Sequence, residues 1–426
     1  MLLSTHLRWF RFLVLCAWGL LVAAPTFAAD DLTPDADALA GSLADLTAPA
    51  AQLQPVGWRT ATVPRTGGGT FTLLVIYPAT TAGFETPFDP SQRPYPAVSF
   101  GHGFFQHPDR YQPTLEHLAS YGYIVVAPES ELGLFPSHAQ FAQDLSDALT
   151  WLESENGSAA SPFYQGVATD RFGLSGHSMG GGASILAAAA DSRVKAVLNM
   201  AAAETNPSAK AAMANVQVPI SLLSGSEDAI VPYETNGQEM YNNGNAPRLL
   251  PLLISGYHCG FQDNPFPLFC DDGSMDAQTQ LDLTRQHLVA FFGLYLKHDQ
   301  SYWPYVWGPF TLTNPLVTVE SDPGMTLAPF AQTQQGNPGT TLSYMVTLSN
   351  DDSAPNSYGV FKAGNQWPAT VTPAQTPVLN PGETTTILVE VTVPGSGSNR
   401  DLLILSVRSD NDGLTRQDAY IVSRRP

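Results

Sequence analysis

Residues 170–182 read DRFGLSGHSMGGG, and this stretch decides the fold class predicted for the chain. Its centre matches the pattern G-x-S-x-G, with Ser178 as the serine. Residues 171–175 predict a short strand before the pattern, and an alanine-rich helix is predicted from Met179 to Asp191. A serine on a sharp strand-to-helix turn stands exposed above the sheet, which suits a nucleophile. The alternative is a Gly-Ser-rich loop that merely joins the two elements, and the flanking segments disfavour it.

On both sides of this stretch, apolar runs of strand length alternate with segments of helical spacing. Strands are predicted at residues 70–77, 95–100, 123–127, 194–200, 219–223 and 249–254, and helices at residues 114–121, 138–155, 235–242 and 278–298. The strand runs are continuously apolar, as in parallel strands that helices cover on both faces. Together with the serine turn, this order predicts an α/β protein with the doubly wound, mainly parallel sheet of the α/β-hydrolase fold.

Changes in composition divide the chain into five predicted segments. They are a signal peptide (1–28), a flexible leader (29–57), a catalytic domain (58–298), a linker (299–316) and an accessory domain (317–426). The accessory domain has short β-rich runs separated by turn sequences and no helical pattern. This composition indicates an immunoglobulin-like β-sandwich at the C-terminal end of the chain.

The start of the chain has the order of a secretory signal peptide. Arg8 and Arg11 precede an apolar run, and small residues follow up to Ala28. The alternative is a membrane anchor, but the run is shorter than the ~20 apolar residues that span a bilayer. We therefore expect a secreted, extracellular protein with no membrane span after signal removal. Cys259 and Cys270 would be the cysteines of the mature chain, and export favours a disulfide between them.

Charge and residue type narrow the range of partners. The formal net charge of −19 disfavours nucleic acid, because an acidic surface repels phosphate backbones. Two lone cysteines without a histidine pair at ligand spacing make a poor zinc site. We therefore expect no metal site here.

The turn GHGFF at residues 101–105 follows a predicted strand and fits an oxyanion hole. Two backbone N–H groups must point at the carbonyl oxygen of the substrate as negative charge develops there. We assign them to Met179, which follows the serine, and to Phe104, with Phe105 as the next choice. The rings of Phe104 and Phe105 are also predicted to bind substrate, with core packing as the alternative. His102 is expected to brace the turn.

The acid and the base are predicted in the chain order serine, acid, histidine that this fold uses. Asp228 lies in the loop after the strand 219–223, and Glu227 is its rival. A buried carboxylate at this point would hold the imidazole of the base in one tautomer. His258 follows the last strand and is the predicted base, 30 residues after Asp228. Other acids and histidines precede the serine or lie in the closing helix: Asp144, Asp147, Asp170, His107, His117, His138, His287 and His298.

Two stretches of the chain resemble known esterases. Residues 170–182 resemble the nucleophile region of bacterial cutinases and polyester hydrolases, including those that act on poly(ethylene terephthalate). Residues 96–128 resemble chlorophyllases and dienelactone-hydrolase relatives, as well as those polyesterases. The resemblance covers residues 58–298 and implies ester hydrolysis without a cofactor. It implies a triad of Ser178, Asp228 and His258, with Phe104 and Met179 as the oxyanion donors.

The chain departs from the polyester hydrolases at three points. Residues 201–203 are Ala-Ala-Ala, where those enzymes commonly carry a tryptophan that helps to clamp an aromatic ring. The Gly-His-Gly turn differs from the usual polyesterase form, and the C-terminal sandwich is an addition. At the level of sequence, cleavage of aromatic polyesters therefore stays open.

The leading hypothesis is a secreted serine carboxylic-ester hydrolase that acts through an acyl-enzyme. Its substrate would be a cutin-like polyester, a lipid ester or a soluble short-chain ester. One alternative is a short-chain esterase without polymer activity. The other is a hydrolase-fold adhesion or binding protein, although this chain retains all three triad residues. The sandwich could in addition bind a polymer or a cell wall.

Overall fold

The computed structural model describes residues 53–266, 270–308 and 314–426. The predicted signal peptide (1–28) and most of the predicted leader (29–57) lie outside the described residues. In the part of the chain that is described, no helix is long and apolar enough to cross a membrane.

Strands and helices alternate along the first part of the described chain. The strands are β1 (Val56–Pro64), β2 (Thr70–Pro78), β3 (Gly83–Phe84), β4 (Tyr95–Gly101), β5 (Ile124–Glu129), β6 (Val167–His177), β7 (Val194–Met200), β8 (Ile220–Gly225), β9 (Arg248–Leu253) and β10 (Val317–Asp322). The α-helices are α1 (Gln112–Ser120), α2 (His138–Gly157), α3 (Met179–Ala190), α4 (Ala209–Ala212), α5 (Gly237–Asn243), α6 (Ala277–Lys297) and α7 (Trp303–Val306). Short 3₁₀ helices lie at Pro108–Tyr111, Met213–Asn215, Tyr233–Thr235, Cys259–Phe261 and Gln300–Tyr302.

The ten strands form one mixed sheet in the order β10-β9-β8-β7-β6-β4-β5-β2-β1-β3. The six strands from β9 to β5 in this order run parallel to one another. On the two sides of this parallel block, β10 and β2 pair antiparallel with β9 and β5. This large mixed sheet fits the α/β-hydrolase fold. Because parallel strands end at the same edge of a sheet, the loops after β4, β6, β8 and β9 converge there.

Helices cover both faces of the sheet. Successive residues of β2 point to opposite faces, as in any strand. Val75 packs in an apolar cluster with Leu145 of α2, whereas Ile76 packs in a second cluster with Leu288 of α6. Full burial of each such side chain contributes about 1.5–3 kcal/mol. The continuously apolar strand runs in the sequence are explained by this double coverage.

Residues 317–322, which we expected to open the accessory domain, extend the central sheet instead. They form β10, which pairs along the whole of β9, from Val317 opposite Leu253 to Asp322 opposite Arg248. Val317 is buried in the same apolar cluster as α6. Without β10, β9 would be an open edge with unpaired backbone groups, which β10 satisfies.

The remaining strands form two four-stranded sheets, which are consistent with a β-sandwich. They are β11 (Met325–Ala328), β12 (Ala331–Gln335), β13 (Thr341–Asn350), β14 (Tyr358–Ala363), β15 (Ala369–Thr372), β16 (Thr384–Thr392), β17 (Arg400–Ser409) and β18 (Arg416–Arg424). Their orders are β11-β13-β16-β15 and β12-β18-β17-β14. Alternate residues of β13 are buried, and Tyr344 on β13 shares one apolar cluster with Leu405 on β17. This alternation is the pattern of strands with one face in a core.

The turn between β17 and β18 packs against α6 and α7. The guanidinium carbon of Arg416 lies 3.7 Å from the centroid of the Trp303 indole ring, a cation–π contact. Trp303 Nε1 donates to the backbone oxygen of Arg416 at 3.2 Å, and the hydroxyls of Tyr295 and Thr415 are 3.0 Å apart. Leu414 is buried in the apolar cluster of α6. The two sheets and the α/β part are therefore joined by side-chain packing as well as by the chain itself.

Candidate active site

Ser178 lies on the turn between β6 and α3, as the sequence predicts. Its φ is 55° and its ψ is −121°, a backbone conformation that residues other than glycine seldom adopt. Such strain costs on the order of 1–3 kcal/mol and persists where surrounding contacts enforce it. The Ser178 N–H donates to the Met200 carbonyl, and the Ser178 carbonyl accepts from the N–H groups of Gly182 and Ala203, all at 2.9–3.1 Å. Hydrogen bonds to its own helix and to the end of β7 thus hold the serine in place.

Glycines bring the serine turn into contact with the predicted oxyanion turn. A Cβ atom on Gly180 would lie 2.1 Å from the Gly101 carbonyl oxygen, and a Cβ atom on Gly176 would lie 2.4 Å from the Gly180 carbonyl. Only glycine leaves room for backbones this close. Gly180 thus admits the end of β4, and Gly176 admits the first turn of α3.

The turn at residues 101–105 presents its two phenylalanines to solvent. The side chains of Phe104 and Phe105 are 47% and 44% exposed, so the alternative of core packing does not apply. Among the described residues, no hydrogen bond engages the N–H of Phe104. Met179 is the first residue of α3, and the N–H of a first helical residue has no carbonyl partner within its helix. Both predicted oxyanion donors therefore belong to backbone positions that can bind an external oxygen.

His102 braces the oxyanion turn, as the sequence predicts. Its ring nitrogens lie 2.9 Å from the Gly103 carbonyl oxygen and 2.8 Å from the Ser130 carbonyl oxygen. The imidazole is fully buried and its centroid is 4.6 Å from that of Phe141. Burial is the largest effect on the ring and lowers the pKa of His102. Both nitrogens are engaged, so this imidazole is unsuited to take a proton from a serine.

The predicted acid and base are in direct contact. Asp228 Oδ2 lies 2.8 Å from His258 Nδ1, and both side chains are buried. The other carboxylate oxygen accepts the N–H groups of Ile230 at 2.9 Å and Val231 at 2.6 Å. An ionised carboxylate can only accept, so the proton of this pair is assigned to Nδ1, which leaves Nε2 unprotonated in the neutral imidazole. This contact fixes the orientation of the His258 ring, as the predicted role of a base requires.

One further contact holds the loops of the acid and the base together. A Cβ atom on Gly225, at the end of β8, would lie 2.5 Å from the Gly256 carbonyl oxygen, so these two backbones also approach closely. Glu227, the rival acid, does not bind His258. Its carboxylate accepts the N–H of Ser274 at 2.7 Å, and this hydrogen bond is the first cause that lowers the pKa of Glu227.

The predicted base, His258, lies beside the residue that precedes Ser178. The ring centroids of His177 and His258 are 4.4 Å apart. The Ser178 hydroxyl has no hydrogen-bond partner among the described residues. Contacts between a nucleophile and its base are often long without substrate and tighten in the complex.

Tyr111 connects the two turns, and sequence reasoning missed it. Its hydroxyl accepts the N–H of Gly103 at 3.2 Å and lies 2.8 Å from His177 Nδ1. Burial first, and then the charge of His258, lower the pKa of His177 well below its usual range, so this ring stays neutral. No motif surrounds Tyr111, and its role is visible only once α1 is packed against the sheet.

Six of the eight other acids and histidines named in the sequence analysis have structural partners. Asp144 on α2 forms a two-pronged ion pair with Arg65, and Asp147 accepts the N–H and the hydroxyl of Thr66. These contacts tie α2 to the loop between β1 and β2. The remaining ones lie apart from this site: Asp170 is exposed on β6, His107 pairs with Glu129, His117 packs on Tyr121, His138 accepts the Asn206 N–H, His287 binds the Leu283 carbonyl and His298 ends α6.

The predicted disulfide between Cys259 and Cys270 is present, with its Cα atoms 5.5 Å apart. It closes the loop directly after His258. Within the described ranges, no group of three or more histidine, cysteine or acidic side chains is placed to hold a metal ion.

Comparison with known proteins gives two findings. Residues 50–250, which include Ser178 and Asp228, match the model of the PET hydrolase-like family. Chlorophyllase-1 of Arabidopsis thaliana is 38% identical over 87 residues, which are 20% of this chain and 26% of that protein. The chain thus spans about a quarter of the length of this curated relative. The sheet order and the strained serine turn agree with these matches, and the resemblance of residues 50–250 to PET hydrolase-like enzymes of the α/β-hydrolase superfamily is confirmed.

Proposed function

We propose that this protein is a serine carboxylic-ester hydrolase that acts through an acyl-enzyme, with Ser178, His258 and Asp228 as its catalytic triad. The observation that carries the proposal is the buried hydrogen bond between Asp228 Oδ2 and His258 Nδ1, at the sheet edge that also carries Ser178. The family match over residues 50–250 supports ester hydrolysis in general.

In the proposed reaction, His258 Nε2 accepts the proton of the Ser178 hydroxyl while Oγ attacks the ester carbonyl. The resulting imidazolium is stabilised by the carboxylate of Asp228. The negative oxygen of the tetrahedral intermediate is bound by the N–H groups of Met179 and Phe104. The imidazolium then gives its proton to the leaving alcohol as the C–O bond breaks. Water, activated by the same imidazole, releases the acid from Ser178. None of these steps requires a cofactor.

The substrate is proposed to be an ester with an apolar acyl part, with a cutin-like polyester as the polymeric candidate. The exposed rings of Phe104 and Phe105 border the oxyanion turn and offer an apolar contact surface. On the opposite side of the serine turn, Ala201 and Ala202 are nearly fully buried and supply no ring for an aromatic clamp. Aliphatic polyesters and short-chain esters are therefore favoured over aromatic polyesters.

A panel of substrates and three variants test this function. The panel runs from nitrophenyl acetate to nitrophenyl palmitate, with films of an aliphatic polyester and of poly(ethylene terephthalate). Replacement Ser178→Ala should lower kcat by roughly 10⁵- to 10⁶-fold, and Asp228→Asn by about 10⁴-fold. The exposed Ser192, replaced in Ser192→Ala, is the matched control and should leave kcat unchanged. Ester turnover that survives Ser178→Ala would refute the proposal, and activity confined to short esters would remove the polyester substrate.

We further propose that the protein is secreted and that its C-terminal sandwich is immunoglobulin-like. The signal-like order of residues 1–28 and the Cys259–Cys270 disulfide support export. Expression of the full chain in a bacterium with a periplasm should yield a mature protein that begins at Ala29. Intact mass spectrometry of the exported fraction checks this, and a protein that retains Met1 there would contradict it.

A further inference from the structure

We propose that Asp271 is a positioning residue. It fixes the position of the His258 main chain relative to the loop that carries the acid Asp228. This inference rests on the proposed function and names a residue that the serine mechanism itself does not use. Asp271 follows the half-cystine Cys270, and no motif in the sequence marks it.

The carboxylate of Asp271 accepts three backbone N–H groups from the two catalytic loops. Oδ2 accepts the N–H of His258 at 3.0 Å and that of Ala229 at 3.1 Å. Oδ1 accepts the N–H of Cys259 at 3.0 Å. Ala229 is the neighbour of Asp228, so one carboxylate binds the main chain beside both members of the acid–base pair.

These N–H groups need an outside acceptor. His258 and Cys259 open the 3₁₀ helix Cys259–Phe261, and the first N–H groups of a helix have no partner within it. Hydrogen bonds from backbone N–H groups to an ionised carboxylate are roughly twice as strong as those between neutral groups. The disulfide fixes the Cys259 side chain to Cys270, and Asp271 fixes the Cys259 main chain. The covalent bond and the carboxylate thus restrain the same short segment from two directions.

The contacts of Asp271 complement those of Asp228. Asp228 orients the imidazole of His258 through Nδ1, whereas Asp271 places the backbone from which that imidazole extends. A base that moves by about 1 Å relative to its nucleophile loses on the order of 10²-fold in rate. Loss of the Asp271 carboxylate should therefore slow the chemical step and leave substrate binding nearly unchanged.

The test uses the full chain with Asp271→Asn and Asp271→Ala, and with Asp272→Asn as the matched control. Asp272 is the exposed neighbour, so its replacement removes the same charge one residue away. The readouts are kcat and KM for nitrophenyl butyrate, the rate of covalent inactivation by a fluorophosphonate, the thermal midpoint and the count of free thiols. All kinetics are measured well below the thermal midpoint of each variant.

We expect kcat to fall about 100-fold in Asp271→Ala and about 10-fold in Asp271→Asn, which keeps one acceptor oxygen. KM should stay within about threefold, fluorophosphonate labelling should slow in parallel with kcat, and the control should match the wild type. Should Asp271→Ala fail to fold, Asp271→Asn carries the comparison with Asp272→Asn.

Three results would overturn the positioning role. They are an unchanged kcat in the folded Asp271 variants, a loss that appears in KM alone, and an equal loss in the control. Ser178→Ala is run alongside. If Ser178→Ala is inactive while the Asp271 variants turn over normally, only the positioning role fails. If Ser178→Ala itself keeps its activity, the proposed function fails, and the positioning role fails with it.

Discussion

The close approach of the serine turn and the oxyanion turn makes the smallest possible side chain at Gly180 damaging. In Gly180→Ala the added Cβ atom would lie 2.1 Å from the Gly101 carbonyl oxygen and 2.6 Å from the His102 carbonyl oxygen. The shorter distance is about 1.3 Å less than the 3.4 Å at which ordinary contact begins, and both neighbours are backbone atoms that cannot rotate away. The turn that carries Phe104 must therefore move by about 1 Å relative to Ser178.

This displacement should appear as a loss of transition-state stabilisation. A misplaced or lost oxyanion donor lowers kcat by about 10²- to 10³-fold, which corresponds to about 2.7–4 kcal/mol. Alanine is the better helix former by about 1 kcal/mol, so helix propensity alone would favour Gly180→Ala. Helix propensity would thus favour the Gly180→Ala variant, whereas the clash would lower its kcat. A loss of activity therefore indicates the clash.

The assay is kcat/KM for nitrophenyl butyrate, measured where circular dichroism shows the variant to be folded. Gly157→Ala is the matched control, because a Cβ atom at the end of α2 would meet no atom within 4 Å. Wild-type kcat/KM in Gly180→Ala would refute the reasoning, as would an equal loss in Gly157→Ala.

Three other changes have expected outcomes. Tyr111→Phe leaves the buried His177 nitrogen and an N–H of the oxyanion turn unpaired, so urea unfolding should show a loss of about 2 kcal/mol together with a lower kcat. Burial lowers the pKa of Lys297 from 10.5 to about 8. The buried charge therefore lowers the free energy of unfolding by its full amount below pH 8, and this destabilisation disappears as the pH rises toward 10.5. Lys297→Met should therefore stabilise the protein more at pH 7 than at pH 10 in the same urea assay. Removing the disulfide by the double change Cys259→Ser and Cys270→Ser should lower the free energy of unfolding by about 2–3 kcal/mol, and an unchanged denaturation midpoint would contradict this.

The sequence predicted two kinds of feature correctly. Some are encoded in a short stretch of residues, and others follow from the order in which the loops of a parallel sheet occur along the chain. The turn around Ser178 is local, because its glycines, the end of the flanking strand and the start of the flanking helix all lie in residues 170–182. The contact between Asp228 and His258 spans 30 residues, yet the order of loops along a parallel sheet was enough to pair them.

The features that the sequence did not predict depend on partners without a side-chain signature. Asp271 and Tyr111 act largely on backbone N–H groups, which every residue except proline carries, so no pattern of residue types reveals them. The assignment of residues 317–322 to the accessory domain failed for a related reason. Their β-rich composition suits either sheet, and only the open edge of β9 decides which one they join.

The packing of Trp303 against Arg416 has a mechanical consequence. Domains that share only a small interface usually move relative to one another. Here a cation–π contact and several hydrogen bonds seat the turn between β17 and β18 on the helices behind the central sheet. The sandwich consequently keeps a fixed orientation relative to Ser178. A polymer surface that bound to the sandwich would therefore meet Ser178 in one orientation. The two parts should also melt in a single calorimetric transition rather than in two.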